Sequence, residues 1–244
     1  MIFSDGRLQH HALVLGAGGV GHALAKALAA HPQVASVAAT HRGPATEKDG
    51  IAYHSLDLTD DDAIATFGAA QVSGAQPPNI IFYAGGLLHG RALTPEKRLL
   101  EVESEALLAS YRINAIAPLL LAKALSPGLP RRGPALWASL SARVGSIEDN
   151  RLGGWYSYRM SKAAHNMGLR TLAIELRRKH RDLICVALHP GTVATRLSEP
   201  FRRPDQPKLL TPEGSAAALV KTASALTLED HGRFFAYDGQ PIPW

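Results

Sequence analysis

Short runs of consecutive apolar residues alternate along the chain with longer stretches in which apolar residues recur every three or four positions. The short runs predict strands, because a strand that is buried on both faces is apolar throughout. They cover residues 11–15, 34–40, 55–58, 79–84, 135–140, 183–188 and 233–237. The longer stretches predict four helices. The first ends at residue 30, and the others cover residues 104–125, 158–179 and 213–226. Pro118 is expected to kink the second of these helices or to restart it. Strands and helices in this alternation predict an α/β fold with a parallel sheet covered by helices on both faces.

The composition suits one domain of ordinary size, or at most two small ones, and one domain that spans residues 1–244 is expected. Of the 244 residues, 46% are hydrophobic, which is enough for one buried core of ordinary size. No run of about 18 apolar residues is present, so no membrane-spanning helix is expected. Residues 1–7 lack the charged-then-apolar order of a signal peptide. The one cysteine, Cys185, cannot form an intrachain disulfide. We therefore expect a cytoplasmic protein.

The net charge of +5 and the pI of about 9.5 do not indicate nucleic-acid binding. Nucleic-acid surfaces concentrate basic residues and interleave them with aromatic ones, whereas the basic groups of this chain are short and scattered. The longest group, residues 177–181, ends a predicted helix, where cations suit the helix dipole. The 11 histidines do not indicate a metal site either. His10 and His11, for example, are neighbours on a predicted strand and would point to opposite faces.

Four glycines follow the first predicted strand and open the first helix. Their segment reads Gly16-Ala17-Gly18-Gly19-Val20-Gly21. It fits the spacing G-x-G-x-x-G, which is typical of dinucleotide-binding sites between a strand and a helix. Glycine lets the backbone approach a pyrophosphate, and a helix N-terminus offers free N–H groups and the positive end of its dipole. The segment therefore predicts a dinucleotide site, with a glycine-rich turn that binds no ligand as the alternative.

The end of the second predicted strand bears on the choice of cofactor. An NAD site usually places Asp or Glu there, against the ribose hydroxyls, but this chain has Thr40, His41 and Arg42. Arg42 can form charge-assisted hydrogen bonds with a 2′-phosphate, which favours NADP over NAD. Alternatively, Arg42 is an exposed loop residue. Asp57, after the third predicted strand, is placed either to accept a hydrogen bond from an adenine amino group or to cap a turn.

Tyr158 and Lys162 stand four residues apart, on one face of a predicted helix. A free tyrosine titrates near pH ~10, and a nearby cation lowers its pKa because it favours the phenolate. The pair is therefore a candidate for a general acid that works near neutral pH. Alternatively, the two residues belong to the solvated face of the helix. Tyr156 has no such partner, because Met160 stands four residues after it.

The order of these motifs resembles that of the short-chain dehydrogenase/reductases over nearly the whole chain. The glycine turn is followed by Asn114, by a serine after the fifth strand, by Tyr158-x-x-x-Lys162 and by His189-Pro190-Gly191-Thr192-Val193. Residues 144–147, 149–156 and 234–240 are similar, more narrowly, to the C-factor branch of this family. That branch is named for a bacterial cell–cell signalling protein and resembles small carbonyl reductases. The resemblance implies a Rossmann-type, doubly wound parallel sheet of about seven strands.

The resemblance also implies roles for individual residues. Tyr158 would be the general acid in carbonyl reduction and the base in alcohol oxidation. Lys162 would lower the pKa of Tyr158 and bind the nicotinamide ribose, and Asn114 would hold a water in a proton relay that reaches Lys162. Besides Tyr158 and Lys162, the cofactor would be bound by Gly16, Gly18, Gly19, Val20, Gly21, Arg42, Asp57, Leu58, Ala84, Gly85, Pro190, Gly191, Val193 and Thr195.

Three segments depart from the pattern of the family. The turn from Gly16 to Gly21 is one residue shorter than the usual G-x-x-x-G-x-G, and the usual Asn-Asn-Ala-Gly after the fourth strand reads Phe82-Tyr83-Ala84-Gly85. In place of Ser-Ser-x-x-Gly the chain has Ser141-Ala142-Arg143-Val144-Gly145, so strict spacing puts Ala142 where the catalytic serine would be. Ser141 is the candidate for the catalytic hydroxyl, with Ser146 as the alternative. Without a hydroxyl at the substrate oxygen, weak activity is expected.

Together these residues predict an NADP(H)-preferring oxidoreductase that interconverts a small carbonyl compound and its alcohol. The alternative is a nucleotide-binding signalling or regulatory protein with little turnover, as the C-factor resemblance suggests. Residues 87–97, 148–156 and 196–210 would form the substrate pocket, with Trp155 as one candidate wall. The family commonly forms dimers or tetramers, so the two longest predicted helices are expected to contact other subunits. Neither a nucleic acid nor a membrane is expected as a partner.

Overall fold

One eight-stranded sheet runs through the residues that the computed structural model describes, which are 9–90, 93–201 and 209–244. Its strands are β1 (His10–Leu15), β2 (Val34–His41), β3 (Thr46–Lys48), β4 (Ile51–Ser55), β5 (Ile80–Tyr83), β6 (Ala135–Leu140), β7 (Leu183–His189) and β8 (Phe234–Ala236). Their order is β3-β4-β2-β1-β5-β6-β7-β8, and all neighbours are parallel except β3 and β4. Since β2 lies on one side of β1 and β5 on the other, the strand order reverses at β1. Ligands of such sheets bind at the carboxyl ends of the strands beside this reversal.

Helices cover both faces of the sheet. They are α1 (Gly19–Ala29), α2 (Asp61–Ser73), α3 (Ser104–Tyr111), α4 (Ala117–Leu125), α5 (Tyr156–Leu176) and α6 (Pro212–Ala225). On one face, α1 and α6 bury side chains such as Leu24 and Leu219 against the strands. On the other face, α2, α4 and α5 bury Ile64, Leu121 and Leu169. Because both faces of the central strands are covered, these strands are apolar without alternation.

The predicted α/β fold with a doubly wound parallel sheet is confirmed, and the strand count differs by one from the prediction. The predicted third strand at residues 55–58 is wrong, because the strand is Ile51–Ser55. Leu56 and Leu58 lie in the connection after it and pack into the core beside α2, so their apolar character reflects a buried loop. The additional strand Thr46–Lys48 is exposed at the edge of the sheet and has no apolar run that would mark it.

The long helix after β5 is interrupted at Arg112–Ile116, where the backbone forms a π-helical turn between α3 and α4. Pro118 follows in the first turn of α4, where its missing N–H is tolerated. The helix therefore restarts beside this proline, as the sequence predicts. Turns of the π type are frequent at functional sites, and Asn114 lies inside this one.

The helical run Ser104–Gly128 is long and apolar enough to cross a membrane, by length and composition alone. Core helices of globular proteins pass the same test, and 39% of the tested window is buried inside this fold. Leu121 and Leu125, for example, pack against the sheet. The absence of a membrane partner therefore stays a prediction.

Candidate active site

The glycine turn lies between β1 and α1, at the carboxyl edge of the sheet. Gly16 has a φ of +94°, which residues with a side chain rarely adopt. A Cβ on Gly21 would lie 2.1 Å from the carbonyl oxygen of Gly16, so α1 packs on the turn at a distance that only glycine allows. A Cβ on Gly18, in contrast, would meet no atom of the described residues within 4 Å, and no side chain caps α1. The open first turn of α1 therefore fits a dinucleotide pyrophosphate.

Predicted cofactor residues from other strand ends meet this turn. A Cβ on Gly16 would lie 2.8 Å from the backbone nitrogen of Gly85, and a Cβ on Gly19 would lie 2.6 Å from a side-chain carbon of Thr195. The side chain of Leu58 reaches the same place, 3.0 Å from where Gly85 would carry a Cβ. Segments after β1, β4, β5 and β7 thus form one surface. Two further predicted residues pack on the core beside it, Val20 and Ala84.

The segment after β7 is held in place by Ser215, which lies in α6, and by Leu210, which precedes that helix. The Ser215 hydroxyl donates a hydrogen bond to the carbonyl oxygen of Pro190 at 2.7 Å. Gly191 has a φ of +80°, and a Cβ there would lie 2.8 Å from the side chain of Leu210. Val193 is buried and forms a bridge with Leu210. The predicted residues Pro190, Gly191 and Val193 are therefore held in one short segment that leads to the glycine turn.

Arg42 and Asp57 lie near one another at the carboxyl ends of β2 and β4. The Asp57 carboxylate accepts hydrogen bonds from the backbone N–H of Thr59 at 2.8 Å and from its hydroxyl at 2.7 Å. These two bonds lower the pKa of Asp57, and the positive charges of Arg42 and Arg112 lower it further. Asp57 therefore caps a turn, which is one of the two interpretations that its position in the sequence allows. Arg42 is exposed directly after β2.

Tyr158 and Lys162 lie on the first two turns of α5, and both are almost completely buried. Tyr158 is 7% exposed and Lys162 is 3% exposed, so the alternative of a solvated helix face is wrong. The Lys162 Nζ atom lies 6.0 Å from the centre of the Tyr158 ring and donates a hydrogen bond to the carbonyl oxygen of Leu140 at 2.9 Å. Burial disfavours the charged ammonium and lowers the pKa of Lys162 to about 8.

Burial raises the pKa of the Tyr158 phenol above its ordinary value. The sequence predicts the opposite direction from the neighbouring ammonium group, and that prediction is wrong in this structure. Burial is the cause of the raised pKa, because the loss of hydration disfavours the charged phenolate. A phenol with a raised pKa keeps its proton at neutral pH, so Tyr158 is held in the form that a proton donor requires.

Asn114 joins the π-helical turn to α5 and to the loop after β5. Its Oδ1 atom accepts a hydrogen bond from the backbone N–H of Leu87 at 2.8 Å. Its Nδ2 atom donates to the carbonyl oxygen of Leu87 at 2.8 Å and to the Ser161 hydroxyl at 2.9 Å. Ser161 donates in turn to the carbonyl oxygen of Tyr158 at 2.9 Å. Asn114 is thus a fully buried link to the helix that carries Tyr158 and Lys162, and its part in a proton relay stays a prediction.

Ser141 and Ser146, the two candidates for the catalytic hydroxyl, both donate hydrogen bonds inside the protein. The Ser141 hydroxyl donates to Oδ1 of Asn166 at 2.6 Å. The Ser146 hydroxyl donates to the carbonyl oxygen of Trp244 at 3.3 Å and accepts from the backbone N–H of Asp149 at 3.2 Å. Both serines are buried. The choice between them stays a prediction, and the geometry gives each hydroxyl a structural partner.

Three rings from three different loops pack edge to face beside the phenol. Trp155 contacts Tyr158 with ring centres 6.3 Å apart, and it contacts Phe201 at 5.1 Å. Phe201 also contacts His89 at 5.6 Å. Trp155 thus lies beside Tyr158, where a wall of the pocket is expected. His89 and Phe201 lie in the predicted pocket segments 87–97 and 196–210, but each is a lone ring in an irregular segment and no periodicity marks it.

The backbone that enters α5 is left-handed at three consecutive residues. The φ angles are +62° at Gly153, +65° at Gly154 and +53° at Trp155. Glycine adopts this conformation freely, whereas a residue with a side chain loses about 1–2 kcal/mol. Such strain persists where the surroundings fix the backbone. Here the N–H of Trp155 donates to the carbonyl oxygen of Glu96 at 2.5 Å, and the sequence pattern does not mark Glu96 either.

Comparison with known proteins assigns a family to this arrangement. Residues 10–206 match the family model described as short chain dehydrogenase. The chain therefore belongs to the short-chain dehydrogenase/reductase family and is an NAD(P)-dependent oxidoreductase. This confirms the resemblance drawn from the motifs.

Some relatives are named for a signal and others for an enzyme activity. The C-signal of Myxococcus xanthus is 35% identical over 144 residues, which are 59% of this chain and 82% of that protein. The 1-hydroxy-2-glutathionyl-2-methyl-3-butene dehydrogenase of Rhodococcus sp. (strain AD45) is 32% identical over 243 residues, 95% of this chain and 98% of that one. The carbonyl reductase Sniffer of D. melanogaster has 30% identity and a TM-score of 0.84, with 97% of this chain and 100% of that chain covered. The NADPH-bound carbonyl reductase from chicken fatty liver has 26% identity and a TM-score of 0.85, with the same coverage.

Proposed function

We propose that this chain is an NADP(H)-preferring oxidoreductase that interconverts a small carbonyl compound and its alcohol, with Tyr158 as the group that transfers the proton. The observation that carries the proposal is the buried pair of Tyr158 and Lys162 at the same edge of the sheet as the open glycine turn. A nicotinamide cofactor supplies or accepts the hydride when it is bound. In reduction, Tyr158 donates its hydroxyl proton to the carbonyl oxygen, and in oxidation it takes the proton back.

Lys162 and Asn114 contribute to this proton transfer in two ways, Lys162 through its N–H donors and Asn114 through the loop that it holds. An ammonium group has three N–H donors, and the carbonyl oxygen of Leu140 accepts one of those of Lys162. The other two are available for the ribose hydroxyls of the cofactor and for a proton relay. Asn114 holds the loop after β5 against α5 through both of its side-chain atoms. Both side chains are thereby fixed before substrate binds, which limits the reorganisation that the reaction requires.

The preference for NADP rests on the end of β2 and on two relatives. The strand ends at His41 and is followed by Arg42, in a place where an NAD site usually has a carboxylate. The chicken protein is described as NADPH-bound, and a short-chain dehydrogenase/reductase from Burkholderia multivorans with 27% identity and a TM-score of 0.78 is described as having bound NADP. The names of the relatives also support a carbonyl compound or an alcohol as the substrate.

Replacement of the phenol tests the role of Tyr158. We expect Tyr158→Phe to lower kcat for carbonyl reduction by about 10²–10⁴-fold, because the positioned proton donor is lost. The Kd for NADPH, measured by fluorescence, should change by less than about twofold. Tyr156→Phe is the matched control, since it removes the same hydroxyl two residues away and should keep its activity. Full activity in Tyr158→Phe would exclude the proposed role.

A second candidate function is nucleotide-dependent signalling with little turnover. It is favoured by the hydrogen bonds that engage Ser141 and Ser146 and by the similarity to the C-signal. A broad screen of aldehydes, ketones and quinones with NADPH separates the two functions. Robust turnover of any of these compounds would rule out signalling as the sole function, whereas NADPH binding without turnover would support it.

A homodimer or homotetramer is part of the proposal. Large apolar side chains are exposed on the outer face of α3, α4 and α5, and they are Leu108, Leu119, Met160, Met167 and Ile174. The last three recur every seven residues, so they share one face of α5. A monomer in light scattering would contradict this part.

A cytoplasmic location is also proposed, because Cys185, the only cysteine of the chain, is buried and unpaired.

A further inference from the structure

The first turn of α5 takes its hydrogen-bond acceptors from a distant part of the chain. The N-cap residue Trp155 makes no side-chain capping bond, and the first N–H groups of a helix have no partner within the helix. Glu96, 61 residues before Ser157, fills this place. Its Oε2 atom accepts hydrogen bonds from the backbone N–H of Ser157 at 3.1 Å and from the Ser157 hydroxyl at 3.0 Å. Its carbonyl oxygen accepts from the backbone N–H of Trp155.

Glu96 is buried in a way that helix stability alone does not require. The residue is 2% exposed, and its Oε1 atom is buried without a hydrogen-bond partner among the described residues. A serine or aspartate at the N-cap would satisfy the same N–H groups from the surface. A buried carboxylate oxygen without a partner is costly. The arrangement therefore indicates a requirement for a particular geometry at the start of α5.

The residues that Glu96 holds stand directly before Tyr158. Ser157 is its neighbour in the chain, and Trp155 is both the left-handed entry residue and an edge-to-face contact of the Tyr158 ring. A shift of Ser157 or Trp155 would therefore move the phenol. Proton transfer depends steeply on such placement, because a displacement of about 1 Å can lower a rate about a hundredfold.

We propose that Glu96 is a positioning residue of the active site. It caps α5 from the segment between β5 and α3 and holds the backbone on which Tyr158 stands. The inference rests on the proposed role of Tyr158 as proton donor. It extends the site to a residue that is hydrogen-bonded to Trp155 and Ser157, directly before Tyr158 in the chain.

Substitution of Glu96 tests this inference. We expect Glu96→Ala to lower kcat about tenfold to a hundredfold, while KM and the Kd for NADPH change by less than about twofold. Glu96→Gln keeps an acceptor oxygen for Ser157 and should restore kcat to within about threefold of the wild type. The control is Thr227→Ala, which removes the side-chain cap of residues 228–230 away from the site and should leave kcat unchanged.

A structural readout keeps the inference separate from the proposed function. The near-UV circular dichroism of Trp155, isolated by difference from a Trp155→Phe variant, should change in Glu96→Ala and stay the same in Thr227→Ala. A wild type without turnover would end the proposed function, whereas the Trp155 signal would still test the placement by Glu96. An unchanged Trp155 signal or an unchanged kcat in Glu96→Ala would overturn the inference. If that variant does not fold, Ser157→Ala removes one of the two bonds, and an unchanged Trp155 signal there would overturn it as well.

Discussion

The variant Ser141→Ala tests whether the hydroxyl of Ser141 has a structural or a catalytic role. In the structure this hydroxyl donates to Oδ1 of Asn166 at 2.6 Å, and Nδ2 of Asn166 donates to the carbonyl oxygen of Gly145 at 3.2 Å. Asn166 is 4% exposed, so water cannot easily replace the lost donor. Leaving a buried acceptor unpaired costs about 1–3 kcal/mol. For a chain of this size each kcal/mol shifts Tm by about 2–4 °C, so we expect Ser141→Ala to lower Tm by about 2–12 °C.

The activity of the same variant should change much less than its stability. A hydroxyl that donates its only proton to Asn166 is not free to donate it to a substrate oxygen. We therefore expect kcat of Ser141→Ala to fall by less than about tenfold, whereas loss of a donor that stabilises developing negative charge typically costs about 10²–10³-fold. Ser146→Ala is the parallel variant, because Ser146 donates to Trp244 instead.

Thermal unfolding gives Tm, urea unfolding gives the unfolding free energy, and NADPH oxidation, followed by absorbance with one substrate from the carbonyl screen, gives kcat. A drop in kcat of about a hundredfold or more without loss of unfolding free energy would refute this reasoning. It would instead assign the Ser141 hydroxyl to the substrate oxygen, as the sequence predicts. If kcat falls only slightly, and equally, in Ser141→Ala and Ser146→Ala, then neither serine assists Tyr158 in the proton transfer.

Two further predictions concern the cofactor and acid stability. Arg42→Ala should raise the Kd for NADPH about tenfold or more, because it removes a charge-assisted contact with the 2′-phosphate, and should leave the Kd for NADH nearly unchanged. Arg178→Ala, the same charge change at an exposed position at the end of α5, is the control, and equal losses for NADH and NADPH in Arg42→Ala would contradict the assignment. Burial lowers the pKa of His165 to about 3 and that of His189 to about 4. Unfolded histidines take up protons below about pH 6.5, so the unfolding free energy should fall from there down to about pH 4, by up to about 1.4 kcal/mol per pH unit for each histidine. Urea unfolding at several pH values checks this, and constant stability between about pH 6.5 and 4.5 would contradict it.

Local features of this chain are those that the sequence predicts best. The glycine turn is a contiguous segment whose backbone conformation depends on the absence of side chains, so its place between β1 and α1 follows from residue types alone. The misplaced third strand shows the limit of the apolar pattern, since Leu56 and Leu58 are apolar because they fill the core from a loop. The raised pKa of Tyr158 shows a second limit. Sequence spacing indicates a neighbouring charge, but only the fold determines how far both groups are removed from water.

The buried polar face of α5 explains why the site is harder to predict than the fold. Polar residues that recur with helical spacing normally indicate a solvated face, and that is the alternative interpretation of Tyr158 and Lys162. Here such residues point inward, and buried polar groups must find hydrogen-bond partners. The partners come from separate parts of the chain, namely Glu96 for Ser157, Asn114 for Ser161, Leu140 for Lys162 and Ser141 for Asn166. Since each partner is far from α5 or in an irregular segment, spacing cannot reveal it. The geometry of the proton donor is therefore set by long-range hydrogen bonds, while its chemistry is set by two residues of one helix.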